Sequence, residues 1–249
     1  MNEPWIFSLS SVLLVSLISF AGVITFGIKN KYLDKILLLL VSFSAGALLG
    51  GAFLHLIPEA LEKFTSTRAV TLLILAGMLV FFLLEKFIHW RHCHIPTSKS
   101  HPHHMATMNL VGDGLHNFID GMIIASSYLI NTQLGITATI AVILHEIPQE
   151  IGDFSVLIYS GLDKTKALLM NFLSALIAVL GTVFTLIMGA KVASFSAFLI
   201  PIAAGGFIYI SGTDIIPELH KECGTSKSLL QTLSLVLGVL LMLALVFLG

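Results

Sequence analysis

Two short stretches of this chain concentrate side chains able to hold a metal ion. The first reads HNFIDG (116–121), with Asp113 just ahead of it, and the second reads HEIPQEIGDF (145–154). On a helix, residues three and four apart share a face. His116 and Asp120 therefore align, Asp113 joins them and Asn117 flanks that face. In the second stretch His145 and Gln149 form one such pair and Glu146 and Glu150 an adjacent one, with Asp153 following. Two polar sectors of this kind, facing each other, make a pocket of imidazoles, carboxylates and amides. Mixed nitrogen and oxygen donors suit Zn, Fe, Mn, Co or Ni better than a soft ion that wants only thiolates.

The elements that must position these groups are apolar to an unusual degree. Of the 249 residues, 56% are hydrophobic and only 11% charged, against about 25% charged in a soluble domain. The mean hydropathy is +0.97, which points to lipid as the solvent. A spanning helix needs ~20 mainly apolar residues. Eight such runs lie at 6–28, 36–57, 70–88, 105–130, 134–159, 167–188, 195–216 and 229–248. They lack the alternating polarity of barrel strands, so the expected fold is an all-α membrane protein with eight transmembrane helices in a single domain, 1–249.

His116 and His145 each stand eleven residues into their runs, the fourth and fifth. At a rise of about 1.5 Å both lie ~16 Å deep, near the midplane of a ~30 Å core. Ionisable groups there cost at least ~2.5–3.5 kcal/mol each. The plain alternative, that they pair with one another to hold the bundle together, is an expensive account of so many polar groups at one depth. Pro148 removes a backbone donor and is expected to loosen the ladder near Leu144, turning that carbonyl toward the pocket.

Ten of the thirteen Lys and Arg residues fall in the loops after runs one, three, five and seven. The positive-inside rule then places both termini on the outer side. Glu3 stands where a leader would carry basic residues, and the first run is long enough to span, so a membrane helix is expected there instead of a cleaved signal. Cys93 and Cys223 fall on the inner side, where thiols stay reduced. No phosphate-binding Gly loop or basic nucleic-acid patch is visible, so lipid and metal ions are the expected partners, with no nucleic acid.

The loop at 89–104, inside by this topology, packs His89, His92, Cys93, His94, His101, His103 and His104 into sixteen residues. Imidazole and thiol ligands of this kind fit auxiliary, weak metal binding; the competing reading is a soluble linker.

A shift of 159 residues lays Ala45-Gly46 on Ala204-Gly205 and Ile57-Pro58-Glu59 on Ile216-Pro217-Glu218. His55 then falls on Asp214. Runs two and seven cross the bilayer in opposite senses, which predicts an inverted repeat of helices 1–3 and 6–8 around a central pair, 4 and 5. The simpler reading is that Pro-Glu marks a helix end twice.

HNFIDG and HEIPQEIGDF, with AGALLGGAFLHLIPEAL (45–61) and DIIPELHKE (214–222), resemble the signatures of the ZIP family of divalent metal transporters across essentially the whole chain. Within that family the closer likeness is to the His-rich subgroup with HNFxDG and HExPxE. The resemblance implies an integral plasma (inner) membrane transporter moving divalent ions into the cytoplasm, zinc foremost, with iron, manganese or cadmium as further candidates. It also implies no enzyme activity, no prosthetic group, the metal ion as substrate, and a homodimer.

Carried over by motif, the metal site between helices four and five would comprise His116, Asn117, Asp120, His145, Glu146 and Gln149, bordered by Glu150. His55 and Glu59 match the entrance; Asp113, Asp153, Asp214, Glu218 and His220 would line the remaining path. The subgroup usually reads HExPHE, and here Gln149 replaces its second His. Helix six offers Asn171 and Ser174 where two-metal members have an acidic residue, which speaks against a second tightly held ion. The other classes considered are a membrane metal sensor and an intramembrane metalloenzyme; the latter needs H-E-x-x-H, which H-E-I-P-Q lacks.

Overall fold

The computed structural model describes residues 3–27, 30–92, 104–189, 192–221 and 224–247. All its elements are helical. In chain order they are α1 (Glu3–Ser16), a 3₁₀ segment (Leu17–Gly27), α2 (Asn30–Gly50), a π segment (Gly51–Leu56), α3 (Ile57–Lys63), α4 (Thr67–His92), α5 (His104–Ile130) and α6 (Thr132–Tyr159). Then follow α7 (Lys164–Ala175), α8 (Ile177–Met188), α9 (Val192–Tyr209), a second π segment (Ile210–Ile215), α10 (Ile216–Leu219) and α11 (Thr225–Val246).

Six stretches among the described residues are long and apolar enough to cross a membrane: Glu3–Gly22, Leu37–Lys63, Thr67–Phe87, Lys164–Met188, Ala197–Leu219 and Thr225–Val246. The fourth and fifth runs, α5 and α6, are not among them. They are long, 27 and 28 residues or about 40 Å at 1.5 Å per residue, but they carry the polar residues that lower their hydropathy. The apolar helices turn large side chains such as Leu72, Leu83, Leu180, Leu229 and Leu240 outward, while Asp113, His116, Asp120, Glu146, Glu150 and Asp153 are buried. That inside-out distribution is what a lipid surround requires.

Local chemistry sets the breaks. Asn131 caps α6 by accepting from the Leu134 amide at 2.8 Å, and Asp163 caps α7 through the Lys166 amide at 2.9 Å, each satisfying an orphan donor. The two π segments both precede a proline, Pro58 and Pro217. A proline offers no N–H and crowds the carbonyl four residues back, here Leu54 and Thr213, and each of those lies inside its π segment. Pro148 by contrast sits within an uninterrupted α6.

α2 packs on α11, α4 on α9, and α5 on α6 and α8. Glycine closes the α5–α8 crossing, where a Cβ on Gly121 or Gly181 would overlap the Ala178 or Phe118 carbonyl, and two others. A Cβ on Gly46 would overlap the Leu235 carbonyl, and one on Gly238 the Phe43 carbonyl; at the other crossing Gly205 meets Ile74 and Gly77 meets Ile202 in the same way. The His-rich stretch contributes nothing to this picture: residues 93–103 lie outside the described residues, as do the side chains of His89, His92 and His104.

Candidate metal site

α5 supplies His116 and Asp120, and α6 supplies His145 and Glu146. One ligand atom from each lies within 4.8 Å of all the others. His116 Nε2 is 3.4 Å from Asp120 Oδ2 and 3.3 Å from Glu146 Oε1, and His145 Nε2 is 3.2 Å and 3.8 Å from the same two oxygens. A tetrahedron with bonds of about 2.0–2.1 Å has edges of about 3.3 Å, so these four spacings suit one ion held by two imidazoles and two carboxylates.

The surroundings hold this set in place. The His116 ring lies 5.0 Å from the Phe207 ring and 5.4 Å from the His145 ring, centroid to centroid. His116, Asp120 and Glu146 are buried, and the His145 side chain is 17% exposed. Both ring nitrogens of His116 and Oε1 of Glu146 are buried without a hydrogen-bond partner. Buried polar atoms are ordinarily paired, so orphaned donor atoms converging on one point fit the binding of a cation.

His116, Asp120 and His145 form one wall of a cavity of about 230 Å³ that Gly51, His55, Glu59, Gln149 and Met242 also line. A second cavity of about 520 Å³ adjoins it, sharing His55, Glu59 and His145 and reaching Glu62. The site is therefore approached from the end of the molecule where α3 lies. His55 Nε2 is 3.0 Å from the Met242 carbonyl. A carbonyl only accepts, so Nε2 carries the proton and Nδ1 keeps its lone pair.

The remaining candidates are dispersed. Gln149 lines the cavity. Asn117 turns back along α5, its Nδ2 donating to Asp113 Oδ1 at 2.8 Å. Glu150 faces α7, accepting from Asn171 Nδ2 at 2.5 Å, and Asp153 is buried further along α6. Glu59 pairs with Lys63 at 2.6 Å. In the second π segment Asp214 is buried, just past α10 His220 is exposed, and Glu218 of α10 pairs with Lys221 while accepting from the Tyr159 hydroxyl at 3.2 Å. Two partners escaped the sequence reading. Asn171, weighed there only as a ligand, is the donor for Glu150; it was visible as a lone amide in an apolar run. The Met242 carbonyl left no signal, because any residue supplies one.

A family model described as ZIP Zinc transporter matches residues 2–107 and 102–246. The Zinc transporter zipt-7.1 of Caenorhabditis briggsae is 30% identical, over 95% of this chain and 78% of its own length. The Zinc transporter ZIP13 of Pongo abelii is 32% identical, over 82% of this chain and 65% of its own length. The Zinc transporter ZIP13 homolog of Drosophila melanogaster is 30% identical, over 96% and 88%.

Proposed function

Because the chain belongs to the ZIP zinc transporter family, we propose that it moves Zn²⁺ and related divalent ions into the cytoplasm through a site made by His116, Asp120, His145 and Glu146. Family membership itself makes it a membrane transporter of metal ions and not an enzyme. The observation that carries the finer reading is the convergence of four donor atoms, at spacings suited to one ion, beside a cavity that leads out past His55 and Glu59. Zinc comes first because the relatives bear that name; iron, manganese and cadmium fit the same donors.

In this reading all eight runs span, as one domain over 1–249, with both termini outside and the 89–104 loop inside. The molecule works as a homodimer in the plasma (inner) membrane. The length of α5 and α6 and their flanking by apolar helices support eight spans. The inverted repeat draws support from the breaks and crossings. The 159-residue shift carries Gly51–Leu56 onto Ile210–Ile215, so the two π segments correspond. It also carries Phe43 and Gly46 onto Ile202 and Gly205, whose glycine contacts are the counterparts at the other crossing.

An ion would leave water near Glu59 and His55 and exchange its hydration shell for the four ligands. With the route from the Glu59 side open, a rearrangement of the bundle would close it and release the ion past Asp153, Asp214, Glu218 and His220. Gln149 would complete the shell, with Asn117 and Glu150 bordering it, and the His-rich loop would serve as auxiliary binding. The test is uptake of Zn²⁺, Fe²⁺, Mn²⁺ and Cd²⁺ by the purified protein in liposomes, beside His145→Ala. Saturable uptake lost in the variant is expected. Equal uptake by a correctly inserted His145→Ala protein would overturn the site.

A further inference from the structure

Hydrogen bonds between helices sort them into two sets. α1, α5, α6, α7 and α8 are tied among themselves, as by Ser16 Oγ to the Ala175 carbonyl, Thr182 Oγ1 to the Gly121 carbonyl and Asn171 Nδ2 to Glu150 Oε2. α2, α4, α9 and α11 are tied in the same way, as by Ser234 Oγ to the Leu39 carbonyl and the Tyr209 hydroxyl to Glu85 Oε2. Small residues meet where the sets adjoin, Gly152 of α6 against Ser44 of α2. Tyr159 bridges the two sets. Its hydroxyl, at the C-terminal end of α6, donates to Glu218 Oε2 at 3.2 Å, and Glu218 stands on α10, which packs on α2. The two ends of the molecule differ at this point. Where α3 lies the cavities stand open, and Glu59 is engaged within its own helix by Lys63. The opposite end lies about 21 Å along α6 from His145, at 1.5 Å per residue. There Tyr159 packs on the apolar cluster that holds Val156, Ile215 and Leu219. Glu218, which the 159-residue shift lays on Glu59, is engaged on both oxygens, by Lys221 at Oε1 and by Tyr159 at Oε2.

We propose, resting on the transport reading above, that the Tyr159–Glu218 hydrogen bond is a latch that holds this end of the route closed and breaks before the ion is released. α6 carries both His145 and Glu146, so a shift of α6 away from α10 that opens a way past Asp153 and Asp214 also draws the hydroxyl off the carboxylate. A hydrogen bond to a charged acceptor is strong enough to bias a two-state equilibrium about tenfold, and weak enough to break in every cycle. Breaking it frees Glu218 Oε2, a hard oxygen that can then meet the departing cation. The contact that closes the route thus becomes a contact on the way out.

The test reads cysteine accessibility in lipid nanodiscs, where both faces of the protein meet the reagent, after Cys93→Ser and Cys223→Ser remove the native thiols. Val156→Cys reports on the closed end, and Ala141→Cys, beside both cavities, reports on the open one. Tyr159→Phe keeps the ring and removes the hydroxyl. It is expected to speed maleimide labelling at Val156→Cys by about tenfold without speeding it at Ala141→Cys. Glu218→Ala is expected to do the same, and the double variant to add little, since both substitutions remove one bond. Faster labelling at both reporters would show loosened packing and would overturn the latch. So would labelling at Val156→Cys that neither substitution changes. Zn²⁺ uptake in liposomes separates this outcome from the transport reading. If labelling shifts as expected while His145→Ala takes up Zn²⁺ at the wild-type rate, the metal site is misplaced and the latch stands. If uptake is lost in His145→Ala while labelling does not shift, the latch alone fails.

Discussion

The polar column along α5 and α6 has two halves that both carry carboxylates and that, His145 apart, are buried alike. In the half nearer α3, His116, Asp120, His145 and Glu146 aim donor atoms at a common point, and a cavity touches it. In the other half Asn117 donates to Asp113 and Asn171 donates to Glu150, so amides engage carboxylates that would otherwise be available to a cation. The difference lies in the amides. A neutral N–H donor beside a buried carboxylate lowers the cost of burying it and occupies one of its lone pairs. In the half nearer α3 the partner is an imidazole, His145 Nε2 lying 3.2 Å from Asp120 Oδ2, and an imidazole that gives up its proton can turn a lone pair to a cation as an amide N–H cannot. Burial and carboxylate content alone therefore do not distinguish the two halves, nor do orphaned atoms, since Asp113 Oδ2, Asn117 Oδ1, Glu150 Oε1 and Asn171 Oδ1 are also buried without a partner; convergence on one point does.

Substitutions in the two halves should separate these roles. Asp120→Ala is expected to reduce Zn²⁺ uptake by about 100-fold or more, since the proposed centre loses a ligand, with insertion checked by protease protection. Comparable uptake would erase the contrast between the halves.

Asn171→Ala should act chiefly on stability. Glu150 loses its donor, costing about 1–3 kcal/mol, read as a lower unfolding midpoint in detergent, with metal affinity changed much less than by Asp120→Ala. A collapse of affinity instead would move the metal site toward the half around Glu150.

Gly46→Ala and Gly205→Ala each push a methyl into a facing carbonyl and should each cost about 1–3 kcal/mol. Similar losses in thermal unfolding would sharpen the repeat reading, while a loss at one site alone would count against the equivalence of the two crossings.

The smallest effect is expected for His55→Ala. This variant should raise KM several-fold with kcat little changed, because the residue borders the centre and does not belong to the four-atom set. A loss as deep as that of Asp120→Ala would make it a ligand.

The motifs singled out His116, Asp120, His145 and Glu146 because helical periodicity groups them and because charge deep in an apolar run demands a reason. The same signals also gathered Asn117 and Glu150, and periodicity could not tell these apart from the converging four. A sector on a helix spans several residues, whereas a coordination shell is set by χ angles and by the partner each side chain finds. Asn117 finds Asp113 one turn back, and Glu150 finds Asn171 on α7. No one-dimensional pattern records either choice.

Composition and apolar run length determined by themselves that this is a helical membrane protein, because the cost of exposing backbone and charge to lipid leaves few alternatives. The motifs determined the family and the chemical class of the site, since imidazole and carboxylate at those spacings have few other uses at mid-depth. Tertiary structure alone decided which donors converge, where the cavity opens, and that Met242 lends its carbonyl to His55. Those outcomes depend on distances between helices far apart in sequence, and they are fixed by close packing at glycine crossings and by the breaks that proline enforces.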